Sequence, residues 1–280
     1  MPLRKILTFP GVPRRAISSV AGFMGRWPLP KFLRRPVWGW LGQRLGMDPK
    51  TIPGDLRDYK NFLALFTRAL PEGTRPLPSG SAWLSPADGR IAACCRVSPE
   101  GTWLIKGTPY TTAELVPGGD VRLLAGYQAI QIYLAPHNYH RYHAPCELEI
   151  LEAVTEPGDL QPVDPKLVRR ALRVLATNKR ILLHCRANDG TPLSLLYVGA
   201  LNVGGMKFHH DATLGAKPFL KGRRVYDPPI QIERGADMGM FEFGSTIVVF
   251  APGQRHLAMG IGEVCMARET LLTGDVSEQN

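Results

Sequence analysis

Short apolar stretches that alternate with polar turns run through most of the chain from residue 91 to residue 267. The stretches are rich in β-branched and aromatic residues, and Pro, Gly or Asn separates one from the next. This combination is typical of the strands of a sandwich or a barrel. The predicted strands are Ile91–Val97, Ala129–Leu134, Glu147–Val154, Arg180–Cys185, Ser194–Leu201, Thr246–Phe250 and Gly262–Ala267.

Helical periodicity is found mainly before residue 71. From Asp55 to Leu70 the apolar residues fall on one face of a helix, and Pro71 ends the pattern. Apolar residues also recur at helical spacing in residues 17–24 and in residues 37–45. One further helix is predicted over Pro165–Ala176, inside the region of strands.

Most of the net charge lies in residues 1–50, which hold ten Lys and Arg residues against one Asp and so carry +9 of the formal +10. Such a segment is suited to a polyanion, either a nucleic acid or an anionic membrane surface. Amphipathic helices that carry Trp favour the membrane surface. Aromatic stacking positions on a strand platform are lacking, so we expect no nucleic-acid partner. The alternative is that these helices pack on the protein's own core.

Two further features bear on location. No stretch approaches the roughly 20 apolar residues that a helix needs to cross a bilayer. The five cysteines include no Cys-x-x-Cys pair and fit reduced cytosolic thiols better than a disulfide framework. We therefore expect a peripheral protein on the cytoplasmic face of the cell membrane.

The predicted fold of the chain is α+β, with an amphipathic helical membrane-associating region in residues 1–70 and a β-rich, sandwich-like or barrel-like body in residues 71–280.

The dipeptide Gly244-Ser245 stands directly before the most apolar predicted strand. Glycine allows a neighbouring side chain to approach its carbonyl closely. A serine there could attack that carbonyl if a base removed its proton and an oxyanion were stabilised. A plain turn that leads into a strand explains the same residues, and the dipeptide alone leaves both interpretations open.

Two other stretches hold polar residues that could take part in such chemistry. Asp88 lies in a Pro-Ala-Asp-Gly turn, where Asp often bonds its own backbone. Three histidines lie between residues 137 and 143, directly after an apolar strand. A histidine, Asp88 and Ser245 could supply a base, its orienting group and a nucleophile. The histidines could instead bind a metal ion together with residues 209–211, although we expect that the protein binds no metal.

Several motifs follow one another in order along the chain. They are Phe66-Thr67-Arg68, Arg75-Pro76-Leu77, Ser85–Gly89, Ile105-Lys106-Gly107, Pro109-Tyr110, Tyr139–Pro145, Pro157–Leu160, Pro162-Val163, Val198-Gly199-Ala200, Met238-Gly239 and Phe241–Thr246. Together they resemble the prokaryotic, pyruvoyl-dependent phosphatidylserine decarboxylase family. Phe243 stands where many relatives have Leu, which is an apolar exchange away from the reacting atoms.

The resemblance implies that the proenzyme cleaves itself between Gly244 and Ser245. Asp88 would orient His143, and His143 would take the proton of Ser245, as in a serine hydrolase acting on its own backbone. The products would be a β chain of residues 1–244 and an α chain of residues 245–280, with a pyruvoyl group formed from Ser245. These two chains would form an αβ heterodimer, and pairing of two heterodimers stays open.

The resemblance also implies the substrate, phosphatidylserine, and the products, phosphatidylethanolamine and carbon dioxide. The pyruvoyl carbonyl would form a Schiff base with the substrate amine and accept the electrons that decarboxylation leaves behind. His140 is the candidate that returns a proton. On a strand its ring would lie opposite that of His143, whereas a turn would let both reach one pocket.

Two other functions compete with this one. The first is a serine hydrolase that uses the same three residues on an external lipid ester and leaves its own chain intact. The second is a non-catalytic membrane-binding β module, which would not need these side chains.

Overall fold

A β-rich body follows a short helical N-terminal part. The computed structural model describes residues 23–98, 102–105, 108–118, 126–159, 161, 174–200, 205–216, 218–242 and 244–274. Residues 23–26 are helical. The helices that follow are α1 (Lys31–Leu45), α2 (Phe62–Phe66), α3 (Thr112–Leu115) and α4 (Val174–Thr177), with 3-10 turns at Pro49–Thr51 and Leu56–Asp58.

Sixteen strands are formed by the described residues. They are β1 (Trp83–Leu84), β2 (Gly89–Arg96), β3 (Thr102–Ile105), β4 (Thr108–Thr111), β5 (Tyr127–Leu134), β6 (Arg141–His143), β7 (Leu148–Glu156), β8 (Arg180–Ala187), β9 (Pro192–Gly199), β10 (Met206–Phe208), β11 (Gly222–Ile232), β12 (Asp237–Phe241), β13 (Ser245–Pro252), β14 (His256–Leu257), β15 (Val264–Cys265) and β16 (Thr270–Thr273). An antiparallel sheet has the order β11-β7-β8-β9-β13-β5-β2-β15. Smaller sheets are β10-β12-β6, β1-β16-β14 and β3-β4.

Strand β13 lies inside the large sheet and is covered on both faces. Its residues from Ser245 to Ala251 are all buried, and β5 and β9 pair with it on either side. Because side chains alternate along a strand, Ile247 and Val249 join the core on one face, and Val248 and Phe250 join the core on the other. A strand buried on both faces reads as a continuous apolar run, which explains why this stretch is the most apolar one in the sequence.

The small sheet β10-β12-β6 packs on the face that holds Ile247 and Val249. Its Tyr142 ring lies 4.6 Å from the Tyr197 ring of β9 and 5.0 Å from the Phe241 ring of β12, measured between centroids. Phe208 of β10 completes this aromatic group, 5.1 Å from Tyr197. The opposite face of the large sheet is covered by β4, α3 and α4.

The predicted β-rich body is confirmed, and six of the seven predicted strands match observed strands closely. The seventh, Gly262–Ala267, is reduced to the two residues of β15 because residues around it form turns. The single helix predicted over Asp55–Leu70 is wrong. Asp55 accepts a hydrogen bond from the Arg57 amide, and the extended Asn61 caps α2 by accepting one from the Ala64 amide. These local bonds divide the segment into a 3-10 turn and a short helix.

Helix α1 buries one of its two Trp rings and exposes the other. Trp38 is buried and donates its indole N–H to the Tyr59 carbonyl at 2.8 Å, whereas Trp40 is 64% exposed. Among the described residues no helix is long and apolar enough to cross a membrane. The helix predicted over Pro165–Ala176 and the one over residues 17–24 lie mostly outside the described residues.

Candidate active site

Ser245 is the first residue of β13 and is completely buried. Its backbone pairs with Leu134 of β5 and with Gly199 of β9. By the alternation of the strand, its side chain lies on the same face as Ile247, toward the aromatic group of the small sheet. Its hydroxyl oxygen has no hydrogen-bond partner among the described residues. Buried hydroxyls are nearly always hydrogen-bonded, so an orphaned one beside a glycine needs a functional explanation.

His143 is the last residue of β6, and both of its ring nitrogens are engaged. Nδ1 lies 3.0 Å from the Gly235 carbonyl oxygen, and Nε2 lies 3.0 Å from the Tyr139 hydroxyl. A carbonyl can only accept, so Nδ1 carries the proton and Nε2 accepts from Tyr139. Burial lowers the pKa of His143, although the Gly235 carbonyl opposes that shift. The imidazole is therefore neutral near pH 7, with Nε2 as its basic atom.

Asp88 lies in the turn before β2 and is buried. Arg75 forms a two-point ion pair with its carboxylate, in which Nη2 lies 2.8 Å from Oδ2 and Nη1 contacts Oδ1. The Ala267 amide also donates to Oδ1, at 2.8 Å. The next residue, Gly89, must lack a side chain because a Cβ there would lie 2.6 Å from Ile132 Cγ2. That close approach seats the Asp88 turn against β5.

The predicted hydrogen bond between Asp88 and His143 is not formed in the structure. Asp88 is bound to Arg75 and Ala267, and His143 is bound to Gly235 and Tyr139. The two residues are linked only indirectly, since the His143 amide donates to the Pro86 carbonyl at 2.7 Å. No hydrogen bond between described residues joins Ser245 to either of them.

Arg75 and Tyr139 connect Asp88 to His143, and the sequence had predicted no role for either of them. The Arg75 guanidinium lies 5.7 Å from the centroid of the Tyr139 ring, and it also holds Asp88. Tyr139 in turn holds His143 through its hydroxyl. Arg75 and Tyr139 belong to two of the motifs on which the family resemblance rests. Their place in those motifs was the one sequence signal that could have marked them as site residues.

His140 lies in the segment that leads into β6, where residues 136–138 form the turn that the sequence allowed. Its ring is fully buried, and its centroid lies 3.9 Å from that of Phe66. Nδ1 donates to the Asn138 carbonyl at 2.8 Å, and Nε2 has no partner among the described residues. In this tautomer Nε2 is an acceptor. His140 can therefore return a proton only after it has taken one up.

Burial lowers the pKa of His140 to about 3, which makes the folded state sensitive to acid. The unfolded chain binds a proton at this residue below about pH 6.5, whereas the folded chain does not until about pH 3. Stability is therefore expected to fall as the pH drops through this window, by about 1 kcal/mol for each pH unit. In urea unfolding at pH 7 and pH 5, a His140→Phe variant should lose less stability on acidification than the parent.

Both proteins in that comparison should carry Ser245→Ala, so that each stays a single chain. A His137→Gln variant is the matched control, because the His137 ring is exposed. An acid-induced loss that is identical with and without His140 would contradict this account of its burial.

His209 and His210, which the sequence offered as further metal ligands, make separate contacts. His209 Nε2 lies 3.2 Å from Asp237 Oδ1, and the His210 ring packs against Phe208 and Tyr226. Within the described ranges, no group of three or more His, Cys, Asp or Glu side chains is arranged to hold a metal ion.

Comparisons with known proteins agree with the motifs. The family model described as phosphatidylserine decarboxylase matches residues 62–273. A phosphatidylserine decarboxylase proenzyme of Helicobacter pylori (strain Shi470) is 36% identical over 239 residues, which cover 84% of this chain and 88% of the relative. Proenzymes of the same description are 35% identical in Methylibium petroleiphilum, covering 86% of each chain, and 34% identical in Anaeromyxobacter sp. (strain K), covering 88% of this chain and 89% of the relative.

Proposed function

The chain belongs to the phosphatidylserine decarboxylase family, and we propose that it first cleaves itself at Gly244–Ser245 and then decarboxylates phosphatidylserine with the group formed from Ser245. The observation that carries this proposal is the Ser245 hydroxyl, which is fully buried, has no partner among the described residues and belongs to a residue that directly follows a glycine. The relatives of this chain are described as proenzymes, which is consistent with a precursor that must be processed.

In the first step, Ser245 Oγ attacks the Gly244 carbonyl carbon. The bond from that carbon to the Ser245 nitrogen breaks, an ester bond to Oγ forms, and the proton of the hydroxyl ends on the released amine. Gly244 is suited to this attack because a Cβ placed on it would meet no atom of the described residues within 4 Å. Since the hydroxyl has no hydrogen-bond partner among the described residues, its attack breaks no bond to them, which removes one contribution to the barrier.

His143 Nε2 is the proposed base for this proton. Its lowered pKa keeps the ring neutral, and the Gly235 carbonyl fixes the tautomer that leaves Nε2 unprotonated. Any proton that reaches Nε2 must pass through the Tyr139 hydroxyl or displace it. In this arrangement Asp88 would act indirectly, because it holds Arg75 beside Tyr139. A direct contact between Asp88 and His143 would need a rearrangement.

The second step is an elimination. A base removes the proton from Ser245 Cα, the Cβ–Oγ bond breaks, and the Gly244 carboxylate leaves as the end of the β chain. Water then replaces the nitrogen of the resulting dehydroalanine, ammonia is released, and a pyruvoyl group remains at the start of the α chain. When formed, that group supplies a carbonyl for the substrate amine and an electron sink for decarboxylation. His140, whose Nε2 has no partner among the described residues, is the proposed proton carrier in that reaction.

Product analysis tests the proposed reaction. Purified protein without added cofactor, mixed with phosphatidylserine vesicles, should release carbon dioxide and form phosphatidylethanolamine in equal amounts. Release of fatty acid or of free serine, with no carbon dioxide, would instead support the serine hydrolase.

We also propose that the N-terminal segment holds the protein on an anionic membrane surface at the cytoplasmic face of the cell membrane. Among the described side chains, every Phe or Trp with an exposed side chain lies between residues 23 and 40; these are Phe23, Trp27, Phe32 and Trp40. Their exposed fractions range from 61% to 78%. Exposed aromatic residues beside Lys31, Arg35 and Arg44 match the interfacial pattern of a peripheral anchor.

A Trp27→Ser, Phe32→Ser, Trp40→Ser variant is expected to bind phosphatidylserine-containing vesicles at least about tenfold more weakly, because burying each large aromatic side chain contributes more than about 1 kcal/mol. Vesicle co-sedimentation at low and high salt measures this effect. The matched control is Leu220→Ser, Val225→Ser, Ile261→Ser, which removes side chains of similar exposure (64–68%) elsewhere. Equal binding by the two triple variants would exclude the N-terminal segment as the membrane-binding surface.

A further inference from the structure

Glu242 is a buried carboxylate that lies three residues before Ser245. Its side chain is only 5% exposed, although carboxylates are rarely buried unless they are paired. Two cations hold it: Lys207 Nζ lies 3.0 Å from Oε1, and Arg26 Nη2 contacts Oε2. These partners come from β10 and from the N-terminal segment, so the carboxylate joins two separate parts of the chain.

The backbone around Glu242 is fixed as well. The Phe241 amide donates to the His140 carbonyl at 2.9 Å, and the Glu242 amide donates to the Gly205 carbonyl at 2.9 Å. Gly205 suits this contact because a Cβ there would lie 3.0 Å from Glu242 Oε2. On the other side of the cleavage point, Ser245 is held in the large sheet by its neighbours on β5 and β9. Only residues 243 and 244 lie between these two fixed points.

We propose that Glu242 is a positioning residue for self-cleavage: its two ion pairs fix the chain on the amino-terminal side of the Gly244–Ser245 bond. This inference rests on the proposed function. Gly244 has no side chain, so side-chain packing at this residue cannot hold its carbonyl in place. The geometry that the Ser245 oxygen needs must come from neighbours, and a misplacement of about 1 Å can slow such a reaction about a hundredfold.

Arg26 extends this anchor to the N-terminal segment. Its carbonyl oxygen accepts a hydrogen bond at 3.0 Å from the side chain of Asn61, which also caps α2. The cations are partly exposed, 45% for the Arg26 side chain and 63% for that of Lys207, so salt reaches the anchor. Maturation of the wild-type precursor should therefore slow as the ionic strength rises, because the ion pairs are screened.

The test follows loss of the 280-residue precursor on denaturing gels after synthesis in a cell-free system. Glu242→Gln, which keeps the size of the side chain and removes its charge, should slow maturation about tenfold to a hundredfold. Glu242→Asp should recover part of the rate. Salt should slow the Gln variant less than the wild type. Trapping with hydroxylamine, which cleaves esters, should show slower ester formation with unchanged decay of the ester once formed.

Glu156→Gln is the matched control. Glu156 also forms a Lys–Glu pair, to Lys221 Nζ at 3.0 Å, at the β11–β7 side of the large sheet. It should mature at the wild-type rate. A Glu242→Gln precursor that matures as fast as the wild type, or one slowed only in the decay of the ester, would overturn the inference. A wild-type precursor that never matures would instead overturn the proposed function, so the two failures are distinguishable.

Discussion

Replacing Ser245 by alanine is expected to leave one folded chain of 280 residues that releases no carbon dioxide from phosphatidylserine. The substitution removes the attacking oxygen, so both cleavage and formation of the electron sink should be lost, at least about a millionfold relative to the wild type. Folding should not suffer, because the hydroxyl is buried without a partner in the described part of the chain and its removal breaks no hydrogen bond there. A denaturing gel, a carbon dioxide assay and thermal unfolding measure the three expectations.

Ser194→Ala is the matched control for this substitution. Ser194 is also buried and lies on the neighbouring strand β9, where its hydroxyl lies 3.0 Å from His184 Nδ1. It should cleave and decarboxylate normally, although loss of its hydrogen bond should cost about 1 kcal/mol of stability. If Ser245→Ala still yielded two chains, or stayed whole and still released carbon dioxide, Ser245 would not be the source of the reactive group.

The second large effect is expected at His143. His143→Asn keeps an amide donor for the Gly235 carbonyl but lacks the basic Nε2, so self-cleavage should slow by about 10² to 10⁴. Burial lowers the pKa of His143, and the ring therefore stays neutral to a lower pH than an exposed histidine. The wild-type cleavage rate should accordingly hold constant from pH 8 to about pH 6.5 and fall only in more acidic buffer. Precursor half-lives across this range measure both expectations.

His184→Asn is the control, since it makes the same change in the histidine that pairs with Ser194. It should mature as the wild type does. A His143→Asn precursor with a normal half-life would remove His143 as the base. A large decrease in the cleavage rate of Tyr139→Phe, together with a small decrease in that of His143→Asn, would assign the proton transfer to the Tyr139 hydroxyl, which donates to His143 Nε2.

The sequence pattern predicted the sheet well because burial dictates it. A strand such as β13, which lies between β5 and β9 and is covered on both faces, is apolar from Ile247 to Ala251, and that run is visible without a structure. The helices were predicted less well. Asn61 could be assigned as a cap only by knowing that its side chain bonds the Ala64 amide. The choice between Trp38 and Trp40 as the buried ring depended on the Tyr59 carbonyl, which lies 21 residues away.

The candidate site shows the same limit more sharply. The family resemblance singled out Asp88, His143 and Ser245 as the reacting residues, but a sequence cannot say which atoms meet. In the structure Asp88 contacts Arg75, and His143 contacts Tyr139 and Gly235. Such long-range partners depend on the packing of β6 and β12 over the large sheet, which no local pattern encodes. The roles of the three residues in cleavage stay predictions for the variants described above.

Intact-mass spectrometry of the purified wild-type protein tests self-cleavage most directly. We predict two chains, one ending at Gly244 and one of residues 245–280, the second lighter by one ammonia than the same peptide with serine at its start. Reduction with cyanoborohydride in the presence of phosphatidylserine should add the lipid amine to that second chain alone. A single chain of 280 residues in a preparation that actively releases carbon dioxide would contradict the account.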